Sequence, residues 1–369
     1  MQRRLSIIIL LLGISSVIGC GEKITCTGTC GGDSHTCAAL DLSGDNRPEL
    51  EKTLHHFSAA EDSLKLQAAR FLIGNMEGKS FYRFVLLDSL QDEHKIEVLN
   101  YPDYTTMVAA FDSVENLYGE LHWDTTGQQL DLEFITADYL IKNIDLAFDA
   151  WRSRPWARNM AFDDFCENIL PYRGSNEPLE PWRLYFMEKY SDLPSRMDNP
   201  EDPVEAATII NRDIQTWFDF DSRFYRHPTD QGLQEMLACG MGRCEDMTNL
   251  AIYAMRANAL AVTSDYTPHW ADSGNNHAWN SIIASDGASV PFMGCLIREE
   301  SGQIRQLFTE NQDHQVLNLS STSRRAAGIS TDKSELSNFE KGQPYELLYW
   351  DDEWKTLGVK EAGEGFLVF

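Results

Sequence analysis

The passage that most limits how this chain can fold is Gly240-Met241-Gly242-Arg243-Cys244-Glu245-Asp246, a glycine turn running straight into an apolar helix. Met247, Leu250, Ala251 and Ala254 follow at three- and four-residue steps, which predicts a helix with a buried stripe through Ala257. Beyond it, Asn275-Asn276-His277-Ala278-Trp279-Asn280-Ser281-Ile282-Ile283 reads as a strand with His277 near its start. A helix entered through a tight turn and followed by strands requires a mixed fold, and the expected class is α+β.

The same residues are the candidates for chemistry. Cys244 falls at the predicted helix N-terminus, where free N–H groups and the positive end of the helix dipole are expected to favour its thiolate. A thiolate is the nucleophile of covalent acyl transfer, and the glycines would let backbone approach a substrate carbonyl. The Cys244 N–H with a neighbour could serve as an oxyanion hole. The His277 imidazole has the proton affinity to take the thiol proton and return it to a leaving amine. The bland alternatives are a buried structural Cys244, a disulfide from it to Cys239 or Cys295, and a His277 that caps its strand or pairs with Glu245. A nucleotide loop at Gly240-x-Gly242 is rejected, since no strand precedes it and the third glycine is missing.

In combination these segments resemble the transglutaminase-like superfamily, over roughly residues 205–295. The resemblance rests on Gly240, Gly242, Cys244 and Asp246, on the helix-to-strand passage Met255 to Val262, on His277-Ala278-Trp279, and on the upstream Trp217. It implies a papain-like α+β core with Cys244 as nucleophile and His277 as base, acting on peptide or carboxamide bonds through a thioester. Hydrolysis or acyl transfer would then follow. More broadly, residues 47–369 resemble bacterial lipoproteins with this core behind a helical N-terminal region, on Ile169 to Arg173, Glu177-Pro178 and Trp182-Arg183. The sequence departs from the pattern at one point. The family's third residue is an acid just after the strand that follows the His, and Ser289 to Gly294 contains none. Asp286 sits in an Asp-Gly hairpin signature, and Asn280 is a poor substitute. An alternative from another class is therefore a non-catalytic surface module of the same fold that binds peptide or glycan.

Around the core the chain divides into a helical N-terminal region (47–195), the core itself (196–298), and a polar loop leading to a small β region (299–369). Phe57, Ala60, Leu64, Ala68, Phe71 and Leu72 predict one helix face, with Ser58 and Glu61 capping its start. Leu140, Ile144, Ala147 and Trp151 predict a second, and Phe162, Phe165, Cys166 and Ile169 a third. Trp151, Trp156, Tyr172, Trp182, Tyr185 and Phe186 are read as helix packing in preference to a sugar-stacking platform. Tyr345, Leu347 and Tyr349 alternate, Asp351-Asp352 turns, and Trp354 to Val359 returns, which predicts a hairpin.

The N-terminus speaks to location. Arg3 and Arg4 precede an apolar stretch from Ile7 to Ile18 that ends in Gly19-Cys20, the pattern of a secretory signal over residues 1–19. The ending resembles a bacterial lipobox, which implies lipidation of Cys20, a membrane anchor, and an outer-membrane lipoprotein facing the periplasm or exterior. The alternative is an ordinary signal with an incidental Cys20. Residues 20–46, rich in Gly, Thr and Ser, read as a flexible tether. Within it Cys26, Cys30 and Cys37 beside His35 suggest a local disulfide or no role, rather than metal. Asp plus Glu number 57 against 31 Lys plus Arg, a net charge of −26 that argues against nucleic-acid partners. The expected partner is a peptide or protein substrate, with glycan as a further option. No metal or organic cofactor is implied, since neither a calcium loop nor a convincing ligand cluster is present.

Overall fold

The computed structural model describes residues 32–267, 277–285, 287–292, 294, 346–350 and 356–361; for His277 and a few others the description covers the backbone only. The chain begins with α1 (Ser34–Leu42), α2 (Arg47–His56) and α3 (Ser63–Gly74), then β1 (Ser80–Leu87), β2 (Glu93–His94), α4 (Tyr104–Tyr118) and β3 (His122–Leu130). There follow α5 (Asp131–Phe134), α6 (Ala137–Ser153), α7 (Phe162–Asn168) and α8 (Trp182–Lys189). The next stretch comprises α9 (Pro203–Gln215), β4 (Asp219–Phe220), α10 (Leu233–Cys239), β5 (Met241–Gly242), α11 (Cys244–Ala257), β6 (Val262–Thr267), β7 (His277–Ile283) and β8 (Ser289–Phe292). A separate antiparallel hairpin pairs β9 (Glu346–Trp350) with β10 (Thr356–Glu361). The architecture is thus α+β with small sheets, as the patterning predicts.

Three local expectations change. Part of the expected tether is folded: Asp33 accepts from the His35 and Thr36 N–H groups and caps α1, whose Cys37, Ala39 and Leu40 are buried in the helical core. Cys37 is disulfide-bonded. Second, the apolar stripe from Phe57 to Leu72 is not one helix. Phe57 is buried at the C-cap of α2, Ala59 is extended, and the chain re-enters helix only at Ser63, which lets α2 and α3 pack on one another. Third, the N-terminal region is not wholly helical. It holds a three-stranded antiparallel sheet in the order β2-β1-β3, with a register shift between Arg83 and Phe84. Most of β3 is exposed, so neither of its faces shows the apolar alternation that marks a half-buried strand.

The predicted stripes of α6 and α7 do face the core. Leu140, Ile144, Ala147 and Phe148 are fully buried, Phe148 meets Phe165 edge-on at 4.9 Å, and Trp151 stacks on Phe165 at 4.4 Å. Tyr172, Trp182 and Phe186 are also buried, Trp182 stacked on Tyr253 of α11 at 5.1 Å; Tyr185 is exposed.

Helix α11 is the centre of the molecule. It is buried on every side, including Asn249 and Arg256, so its polar residues need partners from its neighbours. The N-terminal region supplies them. Arg256 Nη1 donates to the Arg173 carbonyl at 2.8 Å, and Asn249 Nδ2 donates to Ser175 Oγ at 2.9 Å. In return Arg183, buried in α8, donates to the Arg256 carbonyl at 3.2 Å, to Asn143 Oδ1 and to the carbonyls of Ile169, Leu170 and Pro171. Nearby, Arg173 and Asp131 form a wholly buried ion pair, to which the Tyr172 hydroxyl donates at 2.9 Å.

Candidate functional site

The glycine turn takes its form from two distinct demands. Gly240 ends α10 in the left-handed region (φ +65°), a conformation that suits glycine. Gly242 has an ordinary backbone, but a Cβ there would stand 2.6 Å from the Asp246 Cβ and 2.8 Å from Gln231 Nε2. Between them β5 pairs in parallel with β4, Phe220 opposite Gly242, with Asp221 N–H donating to the Gly242 carbonyl at 2.8 Å. Asp246 explains that tight fit. Its buried carboxylate accepts from the N–H groups of Gln231 (2.8 Å) and Arg243 (2.9 Å) and from Gln231 Nε2 (3.0 Å). It therefore fixes the entry to α11 and does not face a substrate.

Cys244 is the first residue of α11 and is a free thiol, as are Cys166 and Cys239; the alternative of a disulfide from Cys244 to Cys239 or Cys295 is thereby removed. The residue is 2% exposed, and its sulfur receives a hydrogen bond from the backbone N–H of Ala278 and donates to Glu245 Oε2 at 3.1 Å. The expected activation by the helix N-terminus is opposed by the surroundings of the sulfur. Burial and then the Glu245 carboxylate push the thiol up to about 12, against the smaller opposing pull of the Ala278 N–H and Arg243. Acidic residues at 245 and 246 also occupy the first turn, where they offset the helix dipole.

His277 opens β7, opposite Thr267 of β6 and one residue before the Ala278 that touches the Cys244 sulfur; its imidazole lies outside the described residues. Strand β8 pairs with β7 only from Asn280 to Ile283, so Cys244 meets β7 at the edge beyond the last β8 pair. Glu245 is engaged by Cys244 and by Arg243 Nε at 3.3 Å. Arg243 also bridges to Asp230 at 2.7 Å and donates to the His227 carbonyl at 2.9 Å, tying the segment before α10 to the start of α11.

Among the described residues after β7, from 284 to 292, there is no acid. Gly287 adopts φ +83° in the turn that joins β7 to β8, as Asp286-Gly287 signals. Asn280 Nδ2 donates to the Thr248 carbonyl at 3.1 Å and so ties β7 to α11. Among the described residues, a buried carboxylate beside β7 is Asp265 on the preceding strand β6, opposite Trp279, where it accepts from the Ser281 hydroxyl. An Asp inside Val262-Thr263-Ser264-Asp265-Tyr266-Thr267 was the available signal, because an acid in the middle of a buried strand is costly without a partner. Cys20 lies outside the described residues. Among the described residues no helix is long and apolar enough to cross a membrane, and no group of His, Cys, Asp and Glu is arranged to hold a metal.

Comparison with known proteins agrees with this geometry. Residues 191–292 match the model of the transglutaminase-like superfamily, a span running from before α9 to the end of β8, so this part of the chain is similar to a transglutaminase-like core. No curated protein and no solved structure matches the chain.

Proposed function

We propose that this is a cell-envelope protein, anchored through a lipid on Cys20, whose Cys244–His277 pair cleaves or transfers amide groups on a peptide or protein. The observation that carries the reading is the placement of a free thiol at the head of the central helix, against the strand that begins with His277. In the reaction the His277 imidazole takes the thiol proton as sulfur bonds to the carbonyl carbon. The carbon–nitrogen bond then breaks, the departing ammonia or amine leaves with that proton, and a thioester remains. Water or a second amine attacks the thioester, gives up a proton through His277, and the thiol is restored. The elevated proton affinity of Cys244 makes the base obligatory, because the resting sulfur is a thiol. Among the described residues, Asp265, buried on the strand paired with β7 and opposite Trp279, is the carboxylate that we assign to hold the imidazole.

One observation favours the second reading, a non-catalytic module that binds peptide or glycan: burial and Glu245 keep the thiol protonated. A single experiment separates the two. The full chain is incubated with glutaminyl peptides, with and without a fluorescent primary amine, and ammonia release and amine incorporation are followed. Turnover lost in both Cys244→Ser and His277→Ala supports the enzyme. Turnover that survives in Cys244→Ser, or no turnover and no hydroxylamine-sensitive thioester across a peptide library, refutes it.

A further inference from the structure

Helices α6 and α8 enclose a cleft that the Cys244 chemistry does not use. Asp138, Lys142 and Leu146 fall at four-residue steps and so form one row along α6. Pro181, Trp182 and Leu184, at the start of α8, form the facing wall. Two bonds fasten the walls together. The Tyr139 hydroxyl donates to the Glu180 carbonyl at 3.2 Å, and Arg183 Nε donates to Asn143 Oδ1 at 2.5 Å. The space between measures about 240 Å³, and its surface is mainly apolar. An apolar cavity of about 150 Å³ holds a benzene ring, so this cleft has room for roughly ten carbon atoms.

The charges around the cleft are unequal. Asp138, at the rim, is taken by Lys52 at 3.1 Å. Lys142 is exposed and has no acidic partner among the described residues. Arg183, which also lines the cleft, is buried. Its guanidinium donates to Asn143 and to the carbonyls of Ile169, Leu170, Pro171 and Arg256, and to no carboxylate among the described residues. The neighbouring Arg256 is buried as well, and its bonds go to the carbonyls of Arg173 and Val262. Burial and then Arg256 lower Arg183 to about 9, so it stays charged at neutral pH. Buried charges are normally paired, and an anion entering the cleft would supply the missing counter-charge. In a chain of net charge −26, a cleft of this sign stands apart from the rest. A ligand that fits it carries one negative group and an apolar body. A bare anion would leave the walls unfilled, and a neutral hydrocarbon would leave Lys142 and Arg183 unmatched.

We propose that the cleft between α6 and α8 binds a small amphipathic carboxylate of up to about ten carbons, its apolar body against Leu146, Trp182 and Leu184 and its carboxylate at Lys142. The proposal does not depend on the reading of Cys244. The full chain is titrated by calorimetry at neutral pH with phenylbutyrate and with octanoate, and with the alcohols and amines of the same carbon skeletons. At least one acid should bind saturably at a single site, its alcohol at least threefold more weakly, and its amine not at all. Lys142→Gln should weaken the acid roughly two- to fivefold, the range of an exposed ion pair, and leave the alcohol unchanged. Leu184→Asp puts a like charge into the apolar wall and should weaken the acid tenfold or more. Both positions are exposed, so neither change disturbs the core. Failure of both acids to saturate, alcohols that bind as tightly as the acids, or either variant binding the acid as the wild type does would overturn the proposal.

Discussion

Burial and then the Glu245 carboxylate hold Cys244 in its protonated form, and removing the carboxylate should make the sulfur more reactive. At 3.1 Å from the sulfur, a unit charge interacts with a thiolate by ~1 kcal/mol in a water-like dielectric and ~5 kcal/mol at an effective dielectric of about 20. Glu245 is 19% exposed and shares its charge with Arg243, so the lower end applies, which is about one pKa unit. In Glu245→Gln the thiolate population near neutral pH should therefore rise about tenfold. Nucleophilicity falls as the thiol becomes more acidic, with a Brønsted slope of about 0.4–0.5, so the net gain in alkylation rate is roughly three- to fourfold. The assay is iodoacetamide labelling between about pH 7 and 9, with the Cys244 peptide quantified by mass spectrometry. Cys166, buried and pushed up to about 12 without Glu245, and Cys239 serve as internal references. A Cys244 rate that is unchanged or lower in Glu245→Gln would show that Glu245 does not control the thiol.

Two further outcomes concern stability. Lys79 is buried over the Tyr172 ring, and burial lowers it to about 7. Its folded value is depressed below the unfolded one, so its contribution is full above about pH 10 and lost as pH falls toward 7. Lys79→Met should be the more stable protein in urea at pH 7, by up to about 5 kcal/mol, with the difference closing toward pH 10; a gap independent of pH would contradict this. Asp131→Asn removes the only carboxylate bonded to the buried Arg173 guanidinium among the described residues and should destabilise the fold by about 3–5 kcal/mol. A loss below about 1 kcal/mol by chemical denaturation would mean that carbonyls alone satisfy Arg173.

What could be read in advance follows from the range of the forces involved. The turn at Gly240 and Gly242, the helix from Cys244 and the turn at Gly287 are local, set by φ or by contacts a few residues apart, and the sequence signals each of them. The stripes of α6 and α7 are legible because one face of each is buried. The sheet around β1 was not, because an exposed strand such as β3 has no apolar alternation to betray it. The proton affinity of Cys244 is not legible in the sequence, for a different reason. A helix N-terminus is visible in a sequence, but whether the next side chain folds back onto the sulfur depends on a rotamer, and here Glu245 does.

The polar bonds around α11 mean that the matched span, 191–292, is not a module that could be lifted out intact. Cutting at residue 191 would strip Arg256 and Asn249 of the backbone and hydroxyl groups at 173 and 175 that satisfy them, and would expose the face of Tyr253 that Trp182 covers. The N-terminal half is thus a second wall of the core itself. In evolutionary terms, changes on α11 and changes in the 169–183 segment are expected to be paired, because each supplies what the other would otherwise leave buried and unanswered.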